Sequence, residues 1–148
     1  MEDIFKTIFN ACKDLTWLKQ VSADEGQLEA IDDNGNYKPV ALLPCLLIDV
    51  QNVQWEAGDL LNQYGTAQVV TRFAYRKTND QSNLTETALF DASLTIIRQR
   101  SEIDKQIANT NPTLHGKLQR LTTERERRSD GIIVFKTTWV CSVTETLV

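Results

Sequence analysis

The chain has a single histidine, His115, and its three cysteines, Cys12, Cys45 and Cys141, stand far apart. One imidazole beside Gly116 in a connector, with no serine or cysteine nucleophile motif to accompany it, offers no general base. The same scarcity leaves no ligand set for zinc. An odd, scattered set of cysteines, each inside an apolar pattern, reads as reduced core thiols of an intracellular protein and not as a disulfide framework. The six glycines stand alone and form no phosphate cradle. No apolar run approaches the roughly 18–20 residues of a membrane span. The opening "MEDIFKTIFNACKD" lacks the basic start and small-residue cleavage site of a signal peptide. A cytosolic product without a membrane partner is expected. A net charge of −4 argues against a nucleic-acid partner held by phosphate contacts.

Two acidic patterns need a closer reading. "DDNGN" places Asp32, Asn34 and Asn36 at alternating positions, as a calcium loop does. The sixth position is Tyr37 in place of Gly and the twelfth is Leu43 in place of Glu, so a turn about Asn34-Gly35 is the better reading. "ERERRSD" mixes both signs. It suits a solvated strand end or hairpin rim, with a charged partner contact as the alternative. Asp32 and Asp33, paired in the "DDNGN" turn, read as solvated acids. The expectation is a protein that is no enzyme and holds no cofactor or metal.

What the chain does contain is apolar periodicity. Apolar residues make up 41% and charged residues 24%, which excludes disorder. A length of 148 residues fits one domain, 1–148, with a core that needs no staple. Ile4, Phe5, Ile8, Phe9, Cys12 and Leu15 recur at helical spacing and predict an amphipathic helix over 3–15. "TWLKQV" and "GQLEAI" predict short strands or extended segments. Pro39 and Pro44 bracket "VALL", an extended piece that is unpaired or an edge. "AGDLLNQYG" reads as a turn.

In "TAQVVTRFAYR", Val69, Thr71, Phe73 and Tyr75 share one strand face, with Gln68, Val70, Arg72 and Ala74 on the other. "KTNDQSN" is a loop, and Asn83 with Glu86 has capping-box spacing for a second helix. Leu89, Ala92, Ile96, Ile97, Ile103 and Ile107 mark the stripe that this helix is expected to bury. "KLQRLTTERERRSDG" leans towards a strand ending in a charged loop at Ser129-Asp130-Gly131. "IIVFKTTWVCSV" is a strand with Ile133, Phe135, Thr137, Trp139, Cys141 and Val143 on one face and Ile132, Val134 and Val140 on the other. The order predicts an α+β fold: an antiparallel or mixed sheet of four or more strands against two helices.

The stretch "LLPCLLIDVQNVQWEAGD" breaks its own alternation. Leu46, Ile48 and Val50 share a face, but after Gln51-Asn52 the apolar positions are Val53 and Trp55. A parity shift of one residue requires a bulge or bend. Both faces of the sheet are also partly apolar, where a lone antiparallel sheet shows one polar face. The segment 17–44 folding over the second face would account for this, self-association through sheet faces or edges is the alternative, and the two can coexist.

The segments "DIFKTIFNACKDL", "WLKQVSADEGQLE", "LLPCLLIDVQNVQWE", "QYGTAQVVTRFAYR", "LHGKLQRLTTERER" and "GIIVFKTTWVCSV", in this order over nearly the whole chain, resemble the tail-terminator and tail-completion proteins of long-tailed bacteriophages and prophages. The resemblance implies a non-enzymatic virion protein that forms a homo-oligomeric ring, a hexamer, capping the tail tube. It implies tail-tube protein and head–tail connector protein as partners and a place in the virion tail after assembly in the host cytoplasm. The helix "IIRQRSEIDKQIANTNP" and the run "ERERRSD" depart from that pattern. A head–tail joining (neck) protein, or a cytosolic protein-binding module unrelated to phage, are the alternatives. Candidate partner-interface residues are Trp55, with much apolar area and few rotors, Glu56 beside it, and Arg125, Arg127 and Arg128.

Overall fold

A computed structural model describes residues 2–56, 58–77, 86–111 and 116–147. The elements follow the order α1 (Glu2–Cys12), β1 (Gln20–Ala23), β2 (Cys45–Glu56), β3 (Asn62–Arg76), α2 (Glu86–Ala108), β4 (Gln119–Glu126) and β5 (Ile132–Thr146). The strands form one sheet in the order β1-β2-β3-β5-β4. The first pair is parallel and the rest are antiparallel, so the expected α+β class holds, with a mixed sheet. Parallel pairing of β1 with β2 needs a long crossover, and residues 24–44 supply it. His115, the expected cap Asn83 and most of the "KTNDQSN" segment lie outside the described residues.

The long central strands carry the alternation seen in the sequence. Leu46, Ile48, Val69, Phe73, Trp139, Cys141 and Val143 face Ile4, Ile8 and Cys12 of α1 and Ile103 and Ile107 of α2. Trp139, the largest fully buried side chain, donates its indole N–H to Thr71 Oγ1 at 3.1 Å, which satisfies a polar group that burial would otherwise penalise. On the opposite face, Leu28 closes over Cys45, Leu47, Ala74, Ile132 and Val134, with Ala41 and Leu43 packed alongside. The crossover is therefore a strap over the second face. Its "VALL" piece lies outside the sheet, as its flanking prolines require.

The parity shift in β2 is a bulge. Pairing with β3 passes from Val50↔Val69 to Asn52↔Gln68, which leaves Gln51 as the extra residue. Val53 thereby returns to the helix side, where, like Val50, it packs against the main core.

Three expectations are corrected. "GQLEAI" is not a strand: Gln27–Glu29 form a single 3-10 turn behind Gly26, whose φ of 83° suits glycine. β3 begins at Asn62, so the predicted turn shortens; Asp59 caps it by accepting the N–H groups of Leu61 and Asn62 at 3.0 and 2.7 Å. In α2 only Ile103 and Ile107 are buried. Leu89, Ala92, Ile96 and Ile97 line an open groove, because helical spacing makes a face apolar without supplying a partner for it.

Candidate functional site

Beyond the Gln51 bulge, β2 and β3 continue as a hairpin arm in which most β2 side chains meet solvent. Its tip is apolar: Leu60 is 96% exposed, with Leu61, Trp55 and Tyr64 also exposed. Local chemistry shapes the tip. A Cβ on Gly58 would stand 2.3 Å from the Asn62 carbonyl oxygen, so only glycine fits the approach. Backbone N–H donation from Asn62 holds the Asp59 carboxyl below its ordinary pKa. Trp55 lies across Gly65, where a Cβ would come within 2.9 Å of the ring. The end of β5 joins the arm through the Leu147 N–H, which donates to the Leu61 carbonyl at 2.7 Å. From Val50 to Thr71 and from Thr137 to Val148 the sequence has acidic side chains, Glu56, Asp59 and Glu145 among them, and no lysine or arginine.

At the other end of the sheet lies the groove. It encloses about 680 Å³ between the first turns of α2 and the ends of β3, β4 and β5. Tyr75 stacks on Phe135 at 6.4 Å, and the Arg100 guanidinium sits 4.2 Å above the Phe135 ring. Arg76, Lys77 and Arg125 complete the rim. Burial pushes the Tyr75 hydroxyl pKa up, against the opposing pull of Arg125 and Arg100.

Behind the groove, on the strap side, Arg72 gathers three carboxylates. Its Nε and Nη2 donate to Glu126 at 2.9 and 2.7 Å, Nη1 donates to Asp24 at 3.2 Å, and Nη2 also donates to Glu29. Asp24 and Glu29 belong to the crossover, so the cluster fastens the strap to the sheet. Burial disfavours the charged guanidinium of Arg72, but the hydrogen bonds it donates to Glu126 and Glu29, together with their negative charge, raise its pKa above the ordinary value. Arg128 adds a second fastening. It chelates Asp130 at 2.6 and 3.1 Å, donates to the Leu28 carbonyl at 2.6 Å and lies 4.8 Å above the Tyr37 ring.

The sequence-derived interface residues thus fall into separate places. Trp55 and Glu56 sit on the arm. Arg125 and Arg127 are exposed at the far end of the sheet, while Arg128 is engaged with the chain's own strap. The fold does not bring the two sets together. Leu60, Leu61, Arg76 and Arg100 escaped sequence reasoning; two adjacent leucines inside a turn after Gly58-Asp59 were the one available signal.

Burial pushes the Cys12 and Cys45 thiols up to about 12 and about 11, far from the depressed values that make a cysteine nucleophilic. Among the described residues no three His, Cys, Asp or Glu side chains converge as a metal site, and no helix is long and apolar enough to cross a membrane. The described surface thus offers an acidic, apolar arm at one end of the sheet and a basic, apolar groove at the other. No family model matches the chain, and no curated protein matches it.

Proposed function

We propose that this protein is an assembly subunit of a long-tailed phage or prophage, a tail terminator whose ring caps the tail tube and offers the head connector its docking surface. The observation that carries the reading is the arm. Exposed Leu60, Leu61, Trp55, Tyr64 and Leu147 gather where the sheet outruns its helices, and contiguous apolar surface of this kind marks an interaction site. The resemblance of the chain to tail terminators supplies the identity of the assembly; the fold is compatible with it and the arm gives it a means.

Negative-stain microscopy of the purified protein mixed with tail tubes tests the reading. End-bound rings are the expected result, and they should vanish with Trp55→Asp while circular dichroism stays unchanged. Tubes left bare by the wild-type protein would overturn it.

A further inference from the structure

We infer that the groove between α2 and the sheet receives the arm of a second copy of this chain, head to tail. The inference rests on the self-assembly reading above and names its interface.

The two surfaces belong to opposite ends of the same strands. β3 runs from Tyr64 in the arm to Arg76 at the groove, a span on the order of 40 Å at about 3.3 Å per residue. An arm cannot fold back along its own rigid strand, so an arm that fills this groove comes from another molecule. The surfaces also match in kind. The tip presents Leu60, Leu61 and Trp55. The groove presents Leu89, Ile96, Ile97 and Phe135, an apolar lining that α2 fails to bury against its own sheet.

Charge selects the pairing. Glu56, Asp59 and Glu145 surround the tip with negative charge. Arg76, Lys77, Arg100 and Arg125 rim the groove, and no carboxylate stands among its described lining residues. Opposed potentials steer encounter and fix register, while arm against arm or groove against groove brings like charges together. A contact between two different surfaces is heterologous. It propagates from copy to copy and closes into a ring when the rotation per subunit allows, whereas an arm-to-arm contact would stop at a dimer.

Sedimentation velocity over a concentration series, with two charge-reversed proteins, tests this. Glu56→Arg with Glu145→Arg spoils only the arm; Arg100→Glu with Arg125→Glu spoils only the groove. The wild-type protein should self-associate, and each variant alone should associate at least about tenfold more weakly. Mixed in equal amounts they should associate again, since each retains the surface that the other lacks. Should the groove variant fail to fold by circular dichroism, because Arg100 covers Phe135, Arg76→Glu with Arg125→Glu takes its place. Association undiminished in either variant overturns the inference, as does a mixture that stays monomeric. A wild-type protein that stays monomeric at every concentration overturns it too, yet leaves tail-tube capping standing if end-bound rings are seen. Bare tubes together with restored association in the mixture would reject the phage assignment and keep the arm-to-groove contact.

Discussion

Replacing Arg72 by Met asks whether charge pairing holds the strap on the sheet. The Arg72 side chain is 10% exposed and meets Asp24, Glu29 and Glu126. Methionine keeps much of the buried stem and deletes the cation, so three carboxylates are left facing one another. Removing one partner of a fully buried ion pair costs about 3–5 kcal/mol. The Glu29 and Glu126 side chains are 44% and 26% exposed and can turn to water, which brings the expected loss to about 2–3 kcal/mol. In a chain of this size the melting temperature should fall by about 4–12 °C. Urea unfolding followed by circular dichroism measures the loss. Hydrogen exchange localises it, because the amides of Lys38 and Val40 donate to Ala30 and Gln27 within the strap and should exchange faster relative to those of β3. Adding Asp24→Asn and Glu126→Gln should recover part of the loss, since uncompensated charge is its main source. R72M within about 0.5 kcal/mol of the wild type, with strap exchange unchanged, would refute the anchoring role.

Three further outcomes follow from the same geometry. With all three thiols buried and those of Cys12 and Cys45 pushed up to about 12 and about 11, Ellman's reagent at about pH 8 should find none in the folded protein and all of them after unfolding; prompt folded-state reaction would contradict the packing. Gly65→Ala forces a Cβ to within 2.8 Å of the Gln54 carbonyl oxygen and should cost about 1–3 kcal/mol in urea unfolding; an unmoved midpoint would mean that the arm has room to spare. The hydrogen bond from Arg128 holds the Asp130 carboxyl below its ordinary pKa, so the stability of the pair is complete above the unfolded-state value and is lost as pH falls through the lower folded-state one. Asp130→Asn should flatten that acid limb in a plot of urea midpoint against pH, and an unaltered limb would count against the pairing.

The readable part of the sequence was the part with a strict period. β3 and β5 were legible as long runs rich in β-branched and aromatic residues with apolar side chains on both faces, the mark of central strands covered on each side, and the odd step at Gln51 announced a bulge because one residue flips every later side chain. Helical spacing in α2 was equally plain, yet spacing cannot say what lies opposite; Ile103 and Ile107 meet α1 and the sheet while Ile96 and Ile97 meet an open groove. "GQLEAI" was too short for its period to separate a strand from a 3-10 turn. Arg72 shares a strand face with Gln68, Val70 and Ala74, and nothing in that pattern marks it as an anchor. Its partners Asp24, Glu29 and Glu126 lie tens of residues away, and no spacing rule joins them. The interface set splits for the same reason: residue type alone singles out Trp55 and Arg125, and only the fold reveals that they occupy opposite ends.

Hydroxyl-radical footprinting of the protein, free and bound to tail tubes, asks directly whether it works by burying its arm. Oxidation at Trp55, Leu60 and Leu61 should fall sharply on assembly, while exposed Ile31 and Val40 on the strap serve as internal references. Assembly that proceeds with the arm as reactive as before would mean that the arm is not the contact.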